Sequence, residues 1–318
     1  MLPLRYLYQT SPEASGLVLL GSAVRGLGKG WQVGVLHTDN SSNLFERLRT
    51  QLTDPTQLSI SKDVRTLDQC QLLLSENPTD QQVAQLFNST PHVMVAGEQI
   101  NPDHFDLVSR FDEHKLNPDG VIAFVGNGKG KTTSAVGVAV KSLLEPEQQR
   151  PVSIIQWFKE RKKPGALTWA INEHEFPALL KKKESLQFFP TGLGFFGSPN
   201  LDRVKGDQAY QQHRDKAYEG LELAKQQLQS NQYAAIILDE FVDTVQEIAG
   251  NLEYPLIDLH DVVDFFEYAT QFPDTLLVIT GRRVTPQYQK FVHQMITVHE
   301  VRHPFKEKGQ GAISGLDF

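Results

Sequence analysis

The most informative stretch of this chain is Val121-Ile-Ala-Phe-Val-Gly126-Asn-Gly128-Lys129-Gly130-Lys131-Thr132-Thr133. A short apolar run leads into a glycine-rich loop, and the loop ends in Lys-Thr-Thr where a helical pattern begins. This layout is typical of a loop that cradles phosphate groups with its backbone N–H groups. In such a loop Lys131 supplies a positive charge and Thr132 a hydroxyl ligand for Mg²⁺.

The loop is one residue shorter than the common phosphate loop. In the common pattern, G-x-x-x-x-G-K-[ST], the first glycine would fall on Val125, whereas the first glycine here is Gly126. The pattern therefore predicts a nucleotide that is held in an unusual way. A glycine- and lysine-rich surface turn is the alternative, but the strand-like run before the loop and the helical pattern after it favour a phosphate site.

Length, charge and cysteine content narrow the classes of function. The chain has 318 residues, which suits one large or two modest domains, and its formal net charge is −7. An acidic chain lacks the basic surface that general nucleic-acid binding requires, so we expect no nucleic-acid partner. Its single cysteine, Cys70, excludes an intramolecular disulfide. No apolar run approaches the ~18–20 residues that span a bilayer, and we expect a cytoplasmic protein without a membrane partner.

Strand and helix signals alternate from about residue 120 to residue 318. The predicted strands are 121–125, 152–156, 234–238 and 275–279, and the predicted helices are 133–144 and 208–229. Continuous apolar runs separated by helices indicate strands that are buried on both faces of a parallel sheet. The predicted fold class is therefore α/β, with a parallel P-loop NTPase-like sheet, helices on both faces, and a smaller α/β domain before it.

Polar residues follow several of these strands, at the edge where ligands of parallel sheets bind. Gln156 ends one strand, and the pair Asp239 and Glu240 follows another. A carboxylate in this position can hold Mg²⁺ opposite the loop threonine, although an acidic helix cap is the alternative. Arg282 and Arg283 end a further strand and are candidates for binding a polyphosphate.

A glycine-rich turn at residues 191–200 carries two adjacent aromatic residues, Phe195 and Phe196. One interpretation is a lid that lays an aromatic face on a flat ligand, and the other is a hydrophobic plug. The basic run that begins at Lys159 either meets a ligand or forms a solvated surface. His303 is a candidate general base, although a lone histidine is more often structural.

The first half of the chain looks like a shrunken copy of the second half. Residues 21–25 align with 137–141, and residues 95–102 align with 279–286 in the same order. Residues 9–13 stand where a phosphate loop belongs, and no predicted strand of this half ends in Asp-Glu. We therefore predict a degenerate α/β domain over 1–117 and a phosphate-binding domain over 118–318. Chance similarity between two α/β segments is the alternative.

Seven motifs in order carry a resemblance to a known family: residues 126–133, 156–159, 192–195, 238–240, 280–282, 301–305 and 315–318. Together they resemble the P-loop type of ATP:cob(I)alamin, or corrinoid, adenosyltransferase. The resemblance covers about residues 120 to 318. It implies that Co(I) of a reduced corrinoid attacks the 5′ carbon of ATP and that triphosphate leaves. The nucleophile then belongs to the substrate, and the protein holds and aims the ATP.

The resemblance also implies a role for individual residues. The implied catalytic residues are Lys131 and Glu240, and the implied ligands of Mg²⁺ or Mn²⁺ are Thr132, Asp239 and Glu240. The implied ATP contacts are Gly126, Asn127, Gly128, Lys129, Gly130, Lys131, Thr132, Thr133, Gln156 and Arg282. The implied corrinoid contacts are Phe195, Phe196 and Lys159. The family further implies a reduced flavoprotein as electron donor.

Two features depart from the family pattern. The aromatic loop of the family usually reads G-x-G-F-T-W, whereas here Phe196 stands at the Thr position and Gly197 at the Trp position. We hypothesise that Phe196 takes the place of the missing aromatic side chain. The second departure is the first half, which we hypothesise to be a built-in partner that makes a monomeric pseudo-dimer where the family uses a homodimer. A non-catalytic ATP or corrinoid sensor or carrier, and another P-loop kinase or NTPase, are the alternative functions.

Overall fold

The computed structural model describes residues 4–36, 42–89, 92–116, 120–147, 149–159, 172–193, 208–245 and 255–303. The strands in this part of the chain are β1 (Leu4–Gln9), β2 (Val33–Leu36), β3 (Leu58–Ser61), β4 (Leu72–Glu76), β5 (His92–Gly97), β6 (Leu107–Lys115), β7 (Val121–Val125), β8 (Val152–Gln156), β9 (Leu186–Pro190), β10 (Ala235–Asp239), β11 (Leu276–Thr280) and β12 (Val292–Arg302). The helices are α1 (Pro12–Gly28), α2 (Ser42–Gln51), α3 (Asp80–Ser89), α4 (Lys131–Leu144), α5 (Gln208–Ser230), α6 (Leu259–Ala269) and α7 (Pro286–Gln289).

All the described strands join one sheet in the order β3-β2-β4-β5-β1-β6-β12-β7-β11-β10-β8-β9. Each neighbouring pair is parallel except β6 and β12, which run antiparallel at the centre of the sheet. The predicted α/β class with a largely parallel sheet is confirmed. The predicted strands of the second half begin and end within one residue of the observed ones. The central antiparallel pair was not predicted. None of the described helices combines the length and apolar character that crossing a membrane requires.

The strands that carry the candidate site are buried along their whole length. Every residue of β8 and of β10 is buried, because helices cover both faces of a parallel sheet. Two polar residues end these strands, and Gln156 and Asp239 are both completely buried. Such groups need hydrogen-bond partners in the interior, so the ends of β8 and β10 mark a polar cluster at the carboxyl edge of the sheet.

The hydrophobic core links the two halves of the chain on one face of the sheet. Helices α1 and α4 pack against each other there, and one continuous cluster includes side chains such as Val24 of α1 and Val136 of α4. On the other face each half has its own cluster, under α5 and α6 in the second half and around α3 in the first. The first half therefore buries one side of α4, the helix that begins with the candidate catalytic residue Lys131.

The predicted domain boundary at 117/118 falls between β6 and β7. The described structure joins the two halves across this boundary by the β6–β12 ladder, in which Phe111 pairs with Val298. The two regions thus share a sheet and a core, and the division into domains stays a prediction.

Candidate functional site

The glycine-rich loop leaves β7 at Gly126 and enters α4 at Lys131. Gly126 and Gly130 have φ angles of 114° and 117°, in the left-handed region that favours glycine. A Cβ on Gly126 would lie 2.3 Å from the carbonyl oxygen of Val298, and one on Gly130 would lie 2.8 Å from Cζ of Phe111. The loop is therefore pressed against β12 and β6, and glycine is needed at both positions.

Two amides of the loop fix it to the sheet. The Gly126 N–H donates to the Arg282 carbonyl at 2.9 Å, and the Gly128 N–H donates to the Val298 carbonyl at 2.8 Å. The side chain of Asn127 accepts a hydrogen bond from the Glu300 N–H at 3.3 Å. The amides of Gly126 and Gly128 are therefore used within the protein, and their assignment as ATP contacts stays a prediction. The first amides of α4 have no intrahelical partner and lie at the positive end of the helix dipole, so they are candidate donors to a phosphate.

Lys131 lies over the loop that precedes it. Its Nζ donates to the Gly128 carbonyl at 2.8 Å. Burial lowers the pKa of Lys131, and the carboxylates of Asp243 and Glu240 act in the opposite direction. A partly desolvated ammonium at a helix N-terminus is well suited to hold an anionic ligand.

Asp239 is the centre of the polar cluster. Thr132 Oγ1 and Thr280 Oγ1 each donate to its Oδ1 at 2.7 Å, and Gln156 Nε2 donates to its Oδ2 at 3.0 Å. Three donors hold this carboxylate in one orientation. The structure thus brings together Thr132, Gln156 and Asp239, which the sequence had assigned to one site.

Glu240 adopts a backbone conformation that is uncommon for a side chain of its size. Its φ angle is 61°, and its N–H donates to Thr280 Oγ1 at 2.8 Å. Oε2 of its carboxylate is shielded from solvent and has no hydrogen-bond partner among the described residues. Burial raises the pKa of Glu240 to about 7, against the opposing effect of Lys159. A left-handed residue with an unsatisfied buried oxygen is poorly explained by stability and is typical of a ligand site.

The donor set fits a hard divalent cation. The hydroxyl of Thr132 and the carboxylates of Asp239 and Glu240 are all oxygen donors, which Mg²⁺ and Mn²⁺ prefer. The unsatisfied oxygen of Glu240 supplies the observation that favours such an ion.

Lys159 lies near the carboxylates of Glu173, Asp239 and Glu240, which together form an acidic cluster. Burial lowers its pKa, but the carboxylates of Glu240, Asp239 and Glu173 raise it more, so the net shift is upward. The lysine that was assigned to the corrinoid therefore also offsets the negative charge of the predicted metal ligands.

Thr133 and Arg282 lie in different surroundings. Thr133 is buried, and its hydroxyl accepts a hydrogen bond from Arg25 Nη1 at 2.9 Å. The first half of the chain thus contacts the hydroxyl of Thr133, and the backbone amide of Thr133 is one of the first amides of α4. Arg282 is exposed at the carboxyl end of β11, and its N–H donates to Asp243 Oδ1 at 2.7 Å.

Sequence reasoning missed two residues of the site. Asp243 lies one turn after Glu240, and its pKa is raised by burial. His174 lies in the 3-10 segment Asn172–Leu179, where its Nε2 hydrogen-bonds Gln156 Oε1, and burial lowers its pKa. The three-residue spacing from Glu240 could have indicated Asp243. Nothing in the local sequence indicated His174, since it reaches the site through tertiary packing.

The predicted aromatic lid falls largely outside the described residues, which include neither Phe195 nor Phe196. The turn begins at Thr191 and Gly192, whose N–H groups donate to the carbonyls of Gln156 at 2.9 Å and of Lys159 at 3.0 Å. The turn therefore leaves the sheet beside the polar cluster. His303 follows β12 and is half-buried.

Comparison with known proteins bears on this part of the chain. The model of a protein family described as ATP:corrinoid adenosyltransferase BtuR/CobO/CobP matches residues 118–318. That range contains the phosphate loop and the whole acidic cluster. No curated protein matches the chain.

Proposed function

The chain belongs to the ATP:corrinoid adenosyltransferase family, and we propose that it transfers the 5′-deoxyadenosyl group of ATP to the Co(I) centre of a reduced corrinoid. A cobalt–carbon bond forms at C5′ as the C5′–O bond breaks. Triphosphate leaves with the electron pair of that bond, and the metal of the substrate changes formally from Co(I) to Co(III). The products are adenosylcobalamin, or another adenosylated corrinoid, and triphosphate.

One observation carries the proposal. The short phosphate loop and Lys131 lie at one edge of the sheet, together with the carboxylates of Asp239, Glu240 and Asp243. The glycine-rich turn that begins at Thr191 leaves the sheet at the same edge. Polyphosphate and a flat ligand would thus be held side by side. Because the attacking nucleophile arrives with the corrinoid, the protein needs no nucleophilic side chain of its own.

The side chains of this site would work by holding and aiming ATP. The first amides of α4 and the ammonium of Lys131 would bind the triphosphate, whose negative charge grows as it leaves. Thr132, Asp239 and Glu240 would hold Mg²⁺ or Mn²⁺, and that ion would supply further charge neutralisation on the phosphates. A fixed triphosphate restricts the position of the 5′ carbon, which lowers the entropic part of the barrier.

The corrinoid contacts are a proposal that rests on the family. Phe195 and Phe196 would press on the corrin, and Lys159 would contact it from the end of β8. The start of the turn beside Gln156 supports this placement. We further propose a reduced flavoprotein as electron donor and a cytoplasmic location.

The test is an anaerobic assay with the full chain, ATP, Mg²⁺ and chemically reduced cob(I)alamin. We expect loss of the Co(I) spectrum, a light-sensitive alkyl-cobalt product, and one triphosphate for each product molecule. Lys131→Met is the matched control, because it removes the charge from the loop while keeping most of the side-chain volume. Tight binding without product would indicate a sensor or carrier. Release of ADP and phosphate would indicate a kinase or NTPase.

A further inference from the structure

Helices α1 and α4 contact each other in a reciprocal way. A Cβ on Gly21 of α1 would lie 1.8 Å from the carbonyl oxygen of Thr133, and a Cβ on Gly137 of α4 would lie 1.9 Å from the carbonyl oxygen of Leu17. Gly21 and Gly137 are 116 positions apart, and so are Leu17 and Thr133. The same contact is therefore made twice with the helices exchanged, as at the two-fold axis of a homodimer.

A second pair of contacts repeats this exchange. The Thr53 N–H donates to the Leu179 carbonyl at 2.8 Å, and the Lys181 N–H donates to the Gln51 carbonyl at 2.9 Å. Between them an isolated antiparallel bridge joins Leu52 to Leu180. The strands that follow, β3 and β9, start 128 positions apart, at 58 and 186, which is also the separation of residues 52 and 180. The bridge therefore joins a residue to its own counterpart.

The sheet has the same symmetry. Read outward from its centre, the first half runs β6-β1-β5-β4-β2-β3 and the second half runs β12-β7-β11-β10-β8-β9. Each strand has a counterpart at the same distance from the centre, in the same chain order. The antiparallel β6–β12 pair at the centre is the pairing that a two-fold axis between equivalent strands produces.

The first half has lost the space for a phosphate loop. Strands β1 and β7 end at counterpart positions, Gln9 and Val125, but α1 begins after two residues whereas α4 begins after five. The extra turn of α1 covers the positions that correspond to the end of the phosphate loop. The side chain of Ser11 accepts from the Ala14 N–H at 3.4 Å, which caps a donor that a phosphate would need. This half therefore cannot bind a polyphosphate as the second half does.

Traces of a nucleotide site nevertheless remain in the first half. Strand β4, the counterpart of β10, ends in Glu76 where β10 ends in Asp239. The next residues, Asn77 and Glu240, have left-handed φ angles of 43° and 61°. The Glu76 carboxylate accepts a hydrogen bond from the hydroxyl of Ser15 on α1, as Asp239 does from the first turn of α4. A shared and unusual backbone conformation at this position indicates common ancestry of the two halves.

Three side chains of the first half support the phosphate loop of the second. The rings of Tyr8 and Phe111 lie against Gly130, so that an added Cβ would be 3.2 Å from the first and 2.8 Å from the second. Arg25 Nη1 donates to Thr133 Oγ1 at 2.9 Å. Arg25 Nη2 also lies 3.5 Å from the buried carboxylate of Glu173, the neighbour in sequence of His174.

We propose that the first half is an inactivated copy of the second, fused in the place of a second subunit, and that its Arg25 is a positioning residue for the phosphate-binding helix α4. The role of Arg25 rests on the proposed function, whereas the fused pair does not. The Arg25 guanidinium donates to the hydroxyl of Thr133, which is not one of the predicted metal ligands. It fixes the third residue of α4 through the Thr133 hydroxyl, and the two residues before Thr133 are the predicted ATP ligands Lys131 and Thr132.

The counterpart of Arg25 on α4 is Lys141, 116 positions later, and Lys141 is exposed. The two equivalent positions thus differ, because Arg25 is a buried residue that contacts α4 and Lys141 is exposed. This divergence is expected if one of the two halves no longer needs its phosphate helix to be held in place. It also makes Lys141 a natural control for Arg25.

The test uses the full chain and measures the Kd of Mg-ATP by calorimetry without corrinoid. Arg25→Lys keeps a charge near Glu173 but loses the guanidinium fork, and Thr133→Val removes the acceptor while leaving the Arg25–Glu173 pair intact. We expect each variant to weaken ATP binding about tenfold, equivalent to about 1.4 kcal/mol. The double variant should bind ATP as tightly as each single variant, because both substitutions remove the same hydrogen bond between Arg25 and Thr133. Lys141→Met should bind ATP like the parent protein.

Steady-state kinetics separate positioning from general damage. We expect both single variants to raise KM for ATP, with kcat at saturating ATP within about twofold of the parent value. Wild-type ATP affinity in both variants, or effects that multiply in the double variant, would overturn the role of Arg25. Parent protein that binds ATP but forms no product would overturn the proposed function alone.

The fused pair is tested by the mass of the full chain in solution. Since the two-fold contacts are used within one chain, we expect light scattering to give 35.8 kDa. A stable particle of twice this mass would overturn the claim that the first half takes the place of a second subunit.

Discussion

The contact between α1 and α4 allows a sharp test of the packing argument, by the substitution Gly21→Ala. The added methyl group would lie 1.8 Å from the Thr133 carbonyl oxygen and 2.7 Å from its carbonyl carbon. Both atoms belong to the backbone, so no side-chain rotation can relieve the overlap. The two helices must move apart by more than about 1 Å to restore ordinary contact distances, and they do so within a core shared by both halves.

The expected loss of stability follows from two opposing terms. Overpacking a close core contact costs about 1–3 kcal/mol, with the upper end expected here because the obstacle is backbone. Replacing a helical glycine by alanine gains about 0.5–1 kcal/mol. We therefore expect Gly21→Ala to lower the free energy of unfolding by about 2 kcal/mol. Gly137→Ala should lose a similar amount, because its Cβ would lie 1.9 Å from the Leu17 carbonyl oxygen.

The same helix provides a matched control in Gly16, where a Cβ would have nothing within 4 Å. Gly16→Ala should stabilise the protein by about 0.5–1 kcal/mol. The assay is urea unfolding followed by circular dichroism, with the midpoint compared at constant m-value. If Gly21→Ala were as stable as Gly16→Ala, the close approach of the two helices, and the reciprocal contact built on it, would be refuted.

Three further predictions concern the site. Folding raises the pKa of the Glu240 carboxyl from its ordinary value of 4.5 to about 7. The charged carboxylate therefore destabilises the ligand-free protein above pH 7, and this effect disappears at pH values far below 4.5. Glu240→Gln should raise the free energy of unfolding by about 1–2 kcal/mol at pH 8, a figure that allows for the charge partner that Lys159 loses, and should change it little near pH 4. Equal gains at both pH values in thermal melts would contradict this prediction. Gly130→Ala should weaken ATP binding at least about tenfold, because it combines strain at φ 117° with a clash against Phe111; unchanged affinity in calorimetry would argue against the constrained loop. Phe196→Ala should slow adenosylation of cobalamin whose lower base is bound to cobalt more than that of a corrinoid whose lower base is not bound. Unchanged turnover with both substrates would contradict the hypothesis that Phe196 replaces the missing aromatic residue.

Much of the second half could be predicted from the sequence, because its signals are local. Strand β7, the short loop and the start of α4 follow one another within thirteen residues, and each has its own composition. The pair Asp239 and Glu240 could be assigned because parallel strands bring their carboxyl ends to one edge, whatever the order of the strands. The α/β class and the family followed from the same local patterns.

Long-range contacts could not be predicted in this way. Arg25 and Thr133 are separated by 108 positions, and neither carries a motif that points to the other. His174 reaches Gln156 through a 3-10 segment with little periodic pattern. The pKa of Glu240 depends on burial and on two lysines brought close by folding, so its value is a property of the assembled site.

The amino-acid sequence was enough to predict the α/β class and to propose residues for phosphate and a divalent ion, because side-chain chemistry and the period of apolar residues are local properties of the chain. The relation between the two halves, in contrast, became apparent from the folded chain. The alignment of residues 21–25 with 137–141 indicated a repeat, but a repeat can lie apart or side by side. The contacts that bring the halves together, at Gly21 and Gly137 and in the β6–β12 ladder, depend on which surfaces meet. The pairing of these surfaces buries apolar side chains of both halves in one cluster, and no local segment specifies it.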